Sequence, residues 1–426
     1  MNERIPAITG VGVISSLASS IDGHWQRVLQ GETGIRELGG EDLPRGLRYA
    51  GRVNDSALPP DTPAEVLKQR RLISPSSRLG LCAADEAVRA SGLDVSTIVP
   101  ERKALYIGAA DYSKAGYRDF YAAFREAGVA GQEFDAERVN RATLHAVDPF
   151  FLLEGLTNNL VAFISRRYQL QGPNTTLASH SPCGAQALEL AARSVLEEHA
   201  DLAIVVATCI WSSFVSLFDL DALKLLSQCR EGPRSFRPFD AHRDGFIAGD
   251  GAAALVLEPL GHACARGARV LGCIRSMASF TDPGTAEGRG VSVETAGRTL
   301  AAALDEAAIR PQDLAFVLPH GSGTSEGDRV ELFAITKILG RERIPISGMK
   351  PYTGYMGAAS DLAEIALALT ALGNGLTPAT LNFRTPDAEF EDVDVVTTHR
   401  PAVARNVLSM SQGLGGQSMA IVVSAP

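Results

Sequence analysis

The sequence predicts an α/β fold, and three observations carry that prediction. Short β-branched runs alternate with Ala- and Leu-rich stretches of helical period. Hydrophobic residues are 45% of the 426 and charged residues 21%, which suits a large buried core. The order strand–helix–strand–helix–strand occurs in both halves, so an internally duplicated fold is plausible, with residues 1–260 and 261–426 as the halves. No Pro- or Ser-rich linker separates them, so one unit is expected.

Taken in order, Ala7–Val11 reads as a strand and Arg78–Ala90 as an amphipathic helix. Leu105–Gly108, Thr175–Ala178 and Ala203–Val206 read as strands, with a helix over Ala185–Glu198. Ala252–Leu257 and Arg269–Arg275 continue as strands, Thr295–Ala308 as helix, Ala315–Leu318 as strand. Asp328–Leu339 and Asp361–Leu372 read as helices, Asn406–Met410 and Met419–Val423 as strands. Asp111–Ala146 mixes charges and aromatics without a clear period and reads as an insertion or cap, spanning about 111–160.

A net charge of −9 argues against general nucleic-acid or anionic-membrane affinity. The six cysteines form no Cys-x-x-Cys pair and the eight histidines no ligand spacing, so no metal site is expected. The apolar start is broken by Glu3, Arg4, Pro6, Gly10 and Gly12, which is no signal peptide, and Leu202–Phe218 is cut by Thr208, Ser212, Ser213 and Ser216. A cytoplasmic protein is expected. There is no Walker loop, and Gly10-Val11-Gly12 lacks the rest of a dinucleotide fingerprint.

Candidate chemistry lies in four segments. In Ser179-His180-Ser181-Pro182-Cys183-Gly184 a strand turns into a helix, and Pro182 in its first turn would make Ser181 the N-cap. Such a side chain faces free backbone N–H groups at the positive helix end; Ser181 is then either a plain cap or a nucleophile. Pro319-His320-Gly321-Ser322-Gly323-Thr324 follows a strand and precedes the helix holding Glu331. A Gly-rich loop runs from Ser347 to Ala359, and a Gly-rich turn from Ser411 to Ser418 joins the last two strands.

In this order the segments resemble the β-ketoacyl-[acyl-carrier-protein] synthases of the thiolase superfamily, over nearly the whole chain. The strongest stretch is Arg237 to Glu258, RPFDAHRDGFIAGDGAAALVLE, joined by Thr9-Gly10-Val11-Gly12, Gly172-Pro173, and His320-Gly321 with Thr324 and Glu331 at family spacing. The resemblance implies the thiolase-like fold: two βαβαβαββ halves in a five-layered αβαβα core. It also implies a dimer, homomeric or with another ketosynthase-like subunit, and acyl groups delivered on the phosphopantetheine arm of an acyl carrier protein, with no bound cofactor.

The departures are informative. Counting nine residues from Gly172 puts Ser181 where the family has its catalytic Cys; Cys183 is two residues too late. His320 matches the first catalytic His and Tyr355 the second. Lys350 matches the family Lys, and the resemblance gives it Glu331 as ion-pair partner; Leu414 replaces the gating Phe. Backbone N–H groups of Ser181 and Leu414 match the oxyanion hole, and Ser322 and Thr324 match pantetheine contacts.

A helix N-terminus contributes about 0.3–1 kcal/mol, up to about 2, which shifts a thiol usefully but cannot ionise an alcohol. Ser181 therefore needs a general base, and His320 is the candidate. Tyr355 stays neutral and donates a hydrogen bond. These features suit a ketosynthase-like acyltransferase on acyl-carrier-protein thioesters in fatty acid or polyketide biosynthesis, with condensing activity doubtful. The alternative is a catalytically reduced, chain-length-factor-type subunit paired with an active ketosynthase; a Ser–His hydrolase stands third.

An acidic carrier calls for a basic dock. Lys68, Arg70, Arg71 and Arg78 cluster just before or within a helix whose family counterpart contacts the carrier, and Lys224 falls near a position where the family has an Arg. Charge reversal at Arg70 and Arg71 is expected to weaken carrier binding, measured as a raised Kd, while handling of a free pantetheine thioester is unchanged. Equal carrier affinity in the variant would leave the cluster a solvated face.

Overall fold

Long unalternating apolar runs become strands covered on both faces. The computed structural model describes residues 3–39, 43–54, 58, 61–69, 72–110, 117–127, 135–147, 150–151, 155–284, 290–340 and 343–426. Its main sheet contains β1 (Pro6–Ser15), β2 (Lys103–Ala109), β3 (Asn174–Ala178), β4 (Leu202–Ile210) and β5 (Asp250–Pro259) from the first half. From the second half come β6 (Gly272–Thr281), β7 (Leu314–Leu318), β8 (Asn406–Gln412) and β9 (Gln417–Ser424). The strand order is β3-β2-β4-β5-β1-β6-β9-β8-β7. The first-half strands form one wing and the second-half strands another; two residue pairs between β1 and β6, Ala7 with Cys273 and Ile8 with Gly272, join them.

Helix α1 (Pro75–Ser91) covers the outer face of the first wing, against β1, β5 and β4. Helices α4 (Val293–Ala307) and α5 (Ser325–Leu339) pack together outside the second, α4 lying on β6 and β9. Between the wings run α2 (Cys183–Leu196) and α6 (Ala358–Gly373), in contact with each other. All of α6 except Thr370 and Gly373 is buried, Asp361 and Glu364 included. The result is the expected α–β–α–β–α layering.

The structure moves some expected boundaries. The strand expected at Arg269–Arg275 starts at Gly272 and extends to Thr281, because β9 pairs with it along that length. The expected cap insertion contains helices at Tyr117–Glu126 and Ala136–Ala146, with Ala123, Ala127, Val139 and Ala142 making a small core of their own. Pro182, not Ser181, is the N-cap of α2, so Ser181 lies one residue outside the helix. At the start of α2 the Ala185 N–H is instead held by the Asp361 carboxylate from α6.

The start of α2 touches the start of α6 backbone to backbone. A Cβ on Gly184 would lie 2.1 Å from the Ala358 carbonyl oxygen. Gly184→Ala is therefore expected to lower stability by about 1–3 kcal/mol through forced separation of the two helices. Urea denaturation checks this; an unchanged midpoint would mean the helices can part at no cost.

Candidate active site

The second-half strands bring the site together. Parallel pairing of β7 with β8 sets Leu318 opposite Ser409, which brings His320, just past β7, beside Gln412, the last residue of β8. The Gln412 backbone N–H donates to His320 Nδ1 at 3.3 Å. Ser181 arrives from the first wing, at the end of the β3–α2 turn. Gly413 lies against it: a Cβ there would sit 2.2 Å from the Ser181 carbonyl oxygen, which is why this position carries Gly. Ser181, His320 and Tyr355 all border one cavity of about 390 Å³, together with Ser322, Thr324 and Leu414. With Lys224, six of the expected site residues thus meet Ser181 at a single pocket.

Burial governs the electrostatics. His320 is 8% exposed, and its pKa falls well below 6.5 because burial, and then Lys350, penalise the imidazolium. The neutral ring accepts at Nδ1 from Gln412, which assigns its proton to Nε2. Tyr355 packs edge-on against His320, Phe246 and Trp211. Its phenol is pushed well above 10 by burial and by Asp361; the neighbouring Ser181 hydroxyl opposes this without reaching hydrogen-bond geometry. Ser181 Oγ is buried and unpaired among the described residues. The Ser181 and Leu414 backbone N–H groups donate to no protein acceptor there, as an oxyanion hole requires. Cys183 is not a competing nucleophile: its thiol donates to the Ser179 carbonyl at 3.2 Å, and burial raises it to about 12.

The ion pair is a correction. Lys350 Nζ donates to Glu364 at 2.9 Å, not to Glu331. Glu331 instead accepts the backbone N–H groups of His320 (2.5 Å) and Gly321 (2.8 Å), fixing the turn that carries His320. The reason is placement: Glu331 on α5 lies under that turn, whereas Glu364 follows Lys350 on the same buried side as Tyr355. Lys350 Nζ also lies 5.3 Å from the Tyr355 ring centroid.

Asp361, Glu364, Gln412 and Trp211 were not singled out in the sequence. Asp361, in the first turn of α6, accepts the Ala185 backbone N–H at 3.1 Å and the Ser411 hydroxyl at 2.9 Å. A carboxylate already fills the start of α2, which the sequence suggested was open. Ser322 and Thr324 hydroxyls lie 2.8 Å apart, and Thr324 caps α5, so both brace the turn as well as border the cavity. Of the expected dock, exposed Lys224 borders the cavity, Lys68 is exposed on a short helix, and Arg78 is half-buried in the first turns of α1; Arg70 and Arg71 lie outside the described residues. Among the described residues there is no cluster of His, Cys, Asp and Glu that could hold a metal ion, and no helix is long and apolar enough to cross a membrane.

Known proteins match this chain along nearly its whole length. Residues 3–263 match the family model for the β-ketoacyl synthase N-terminal domain and residues 271–384 that for the C-terminal domain. A Streptomyces cyaneus protein described as polyketide β-ketoacyl synthase 1 is 33% identical over 432 residues, covering 100% of this chain and 99% of its own length. The 3-oxoacyl-[acyl-carrier-protein] synthase 2 of Coxiella burnetii is 28% identical, covering 100% and 99%. Two solved structures share the fold over 99% of this chain. One is a ketosynthase bound to a hexaketide in complex with its type II polyketide acyl-carrier protein (TM-score 0.85, 23% identity, 100% of that chain). The other is the ishigamide ketosynthase/chain length factor (TM-score 0.84, 24% identity, 99% of that chain).

Burial raises the Glu331 carboxyl from 4.5 to about 8, against the opposing pull of its backbone donors. Between those values the folded chain holds a proton that the unfolded chain has released, so stability falls as pH rises and levels off above about 8. Glu331→Gln removes this titration. Urea titrations from pH 5 to 8 are expected to show wild type losing stability relative to the variant; parallel profiles would refute the raised pKa.

Proposed function

Because the chain belongs to the β-ketoacyl synthase family, we propose that it is an acyl-carrier-protein-dependent, ketosynthase-like subunit of polyketide or fatty acid biosynthesis that holds an acyl thioester without becoming acylated, beside an active ketosynthase. The family is one of condensing transferases, and its relatives act in polyketide and fatty acid biosynthesis.

One observation carries the reading: His320 has its lone pair committed to the Gln412 N–H and its proton on Nε2. An alcohol attacks only if a base takes its proton, and a ring in this state is a donor. Tyr355 is a second donor, and the Ser181 and Leu414 N–H groups a third and fourth. Such a set polarises a thioester carbonyl or an enolate oxygen. The pantetheine arm would enter past Ser322 and Thr324, with Lys224 at the mouth meeting the acidic carrier. Pairing with an active ketosynthase follows the precedent of the ketosynthase/chain length factor assembly of similar fold.

A second reading has its own support. Ser181 Oγ is buried, unpaired and at the cavity, with the oxyanion donors uncommitted, so Ser181 could accept the acyl group once His320 Nδ1 is released. Intact-mass measurement after single-turnover mixing with acyl-carrier thioesters separates the two. The proposal expects no adduct in wild type, and altered product length when a Cys-containing ketosynthase is added. An adduct mapping to Ser181, lost in Ser181→Ala and slowed ~10²–10⁴-fold in His320→Ala, would overturn it in favour of the acyltransferase.

A further inference from the structure

The start of α2 is where this architecture would activate a nucleophile at position 181, since free N–H groups there favour negative charge and depress a nearby thiol. Here that place is taken. Asp361 Oδ2 accepts the Ala185 N–H at 3.1 Å and lies 3.0 Å from where a Cβ on Gly184 would be; Oδ1 accepts from Ser411 at 2.9 Å. Asp361 is 2% exposed, so no water screens it. Its charge reaches both neighbours of the site: it disfavours the ionised forms of Cys183 and of Tyr355. The charged or titratable groups facing this carboxylate are Lys350 and Glu364 from the Lys350 segment and α6, Tyr355 from the loop between, and Cys183 from α2.

We propose that Asp361 is a built-in anion that silences position 181: it satisfies the start of α2 and adds a negative charge, so that neither Ser181 nor a Cys placed there is activated. Asp361 is a positioning residue and touches no substrate. This deepens the reading of an unacylated site, because it locates the block in a residue other than the missing Cys. Replacing Ser181 by Cys is then not enough to restore a family nucleophile; the charge at 361 must go as well.

The test installs a thiol as a local voltmeter. Ser181→Cys, Ser181→Cys/Asp361→Asn and Ser181→Cys/Asp361→Glu are alkylated with iodoacetamide from pH 5.5 to 9.5, and labelling at 181 is followed by peptide mass mapping. Exposed Cys264 serves as internal reference and buried Cys183 stays silent. Asn keeps the acceptor for α2 without the charge. The single variant is expected to titrate at or above the ordinary thiol value of about 8.5. The Asn variant is expected to titrate about one unit lower and to label roughly tenfold faster at pH 7, and the Glu variant to behave like the single. A Ser181→Cys thiol already ionised near pH 7, or an Asn variant no faster than the single, would overturn the proposal. The single variant decides the matter even if the Asn variant does not fold. The readout is independent of whether wild type is acylated, so failure here and failure of the proposed function are distinguishable.

Discussion

Everything at the site depends on the meeting of α2 and α6. Gly184 allows the two helices to touch at the backbone, and Asp361 then reaches across to hold the Ala185 N–H. That junction ties the turn carrying Ser181 from the first wing to the Lys350 segment and, through the Asp361–Ser411 hydrogen bond, to the Ser411–Gly416 turn from the second. Beside it the halves are tied by the Tyr355 N–H to the Ile247 carbonyl, the Gly249 N–H to the Tyr355 carbonyl and the Gly245 N–H to the Gly323 carbonyl, each 2.8 Å, and at the sheet by two residue pairs.

The same junction concentrates charge where there is no water. Asp361, Glu364 and Glu331 are all held above the ordinary carboxylate range by burial, and Lys350 is the cation among them. Leaving any of these unpaired in a dry interior would be strongly destabilising, so each has a partner: Glu364 has Lys350, Asp361 has Ala185 and Ser411, Glu331 has two backbone N–H groups. The framework is thus satisfied, while Ser181 Oγ and Gln412 Nε2 at the cavity are unpaired among the described residues. A satisfied scaffold and unpaired lining are what a binding pocket needs.

Much of this was legible in the sequence. The buried strands announce themselves as apolar runs, while the register from Gly172 to Ser181 and the match of His320 and Tyr355 come from the family resemblance. Residue contacts across the fold were less accessible. The resemblance offers Lys350 only Glu331, and finding Glu364 instead requires knowing that Glu331 holds the His320 turn. Asp361 reads in sequence as an ordinary acidic residue in the first turn of its own helix, with nothing to say that it serves another one. The proton on His320 depends on Gln412, 92 residues away, through the pairing of two strands. Pro182 reads in sequence as a first-turn proline, and the structure makes it the cap, with the Ala185 N–H taken by Asp361.

The strand order carries a consequence for how the chain folds as it is made. β9 lies inside the sheet, between β6 and β8, although its partner β6 precedes it by more than a hundred residues. The turn before it supplies Gly413 and Leu414 to the pocket and sets the Gln412 backbone on His320. An emerging chain can therefore assemble the first wing early, but β6 and β7 must wait, exposed, until β8 and β9 follow. The pocket closes in the same step, so a ligand able to bind it would recognise only chains whose second wing is complete.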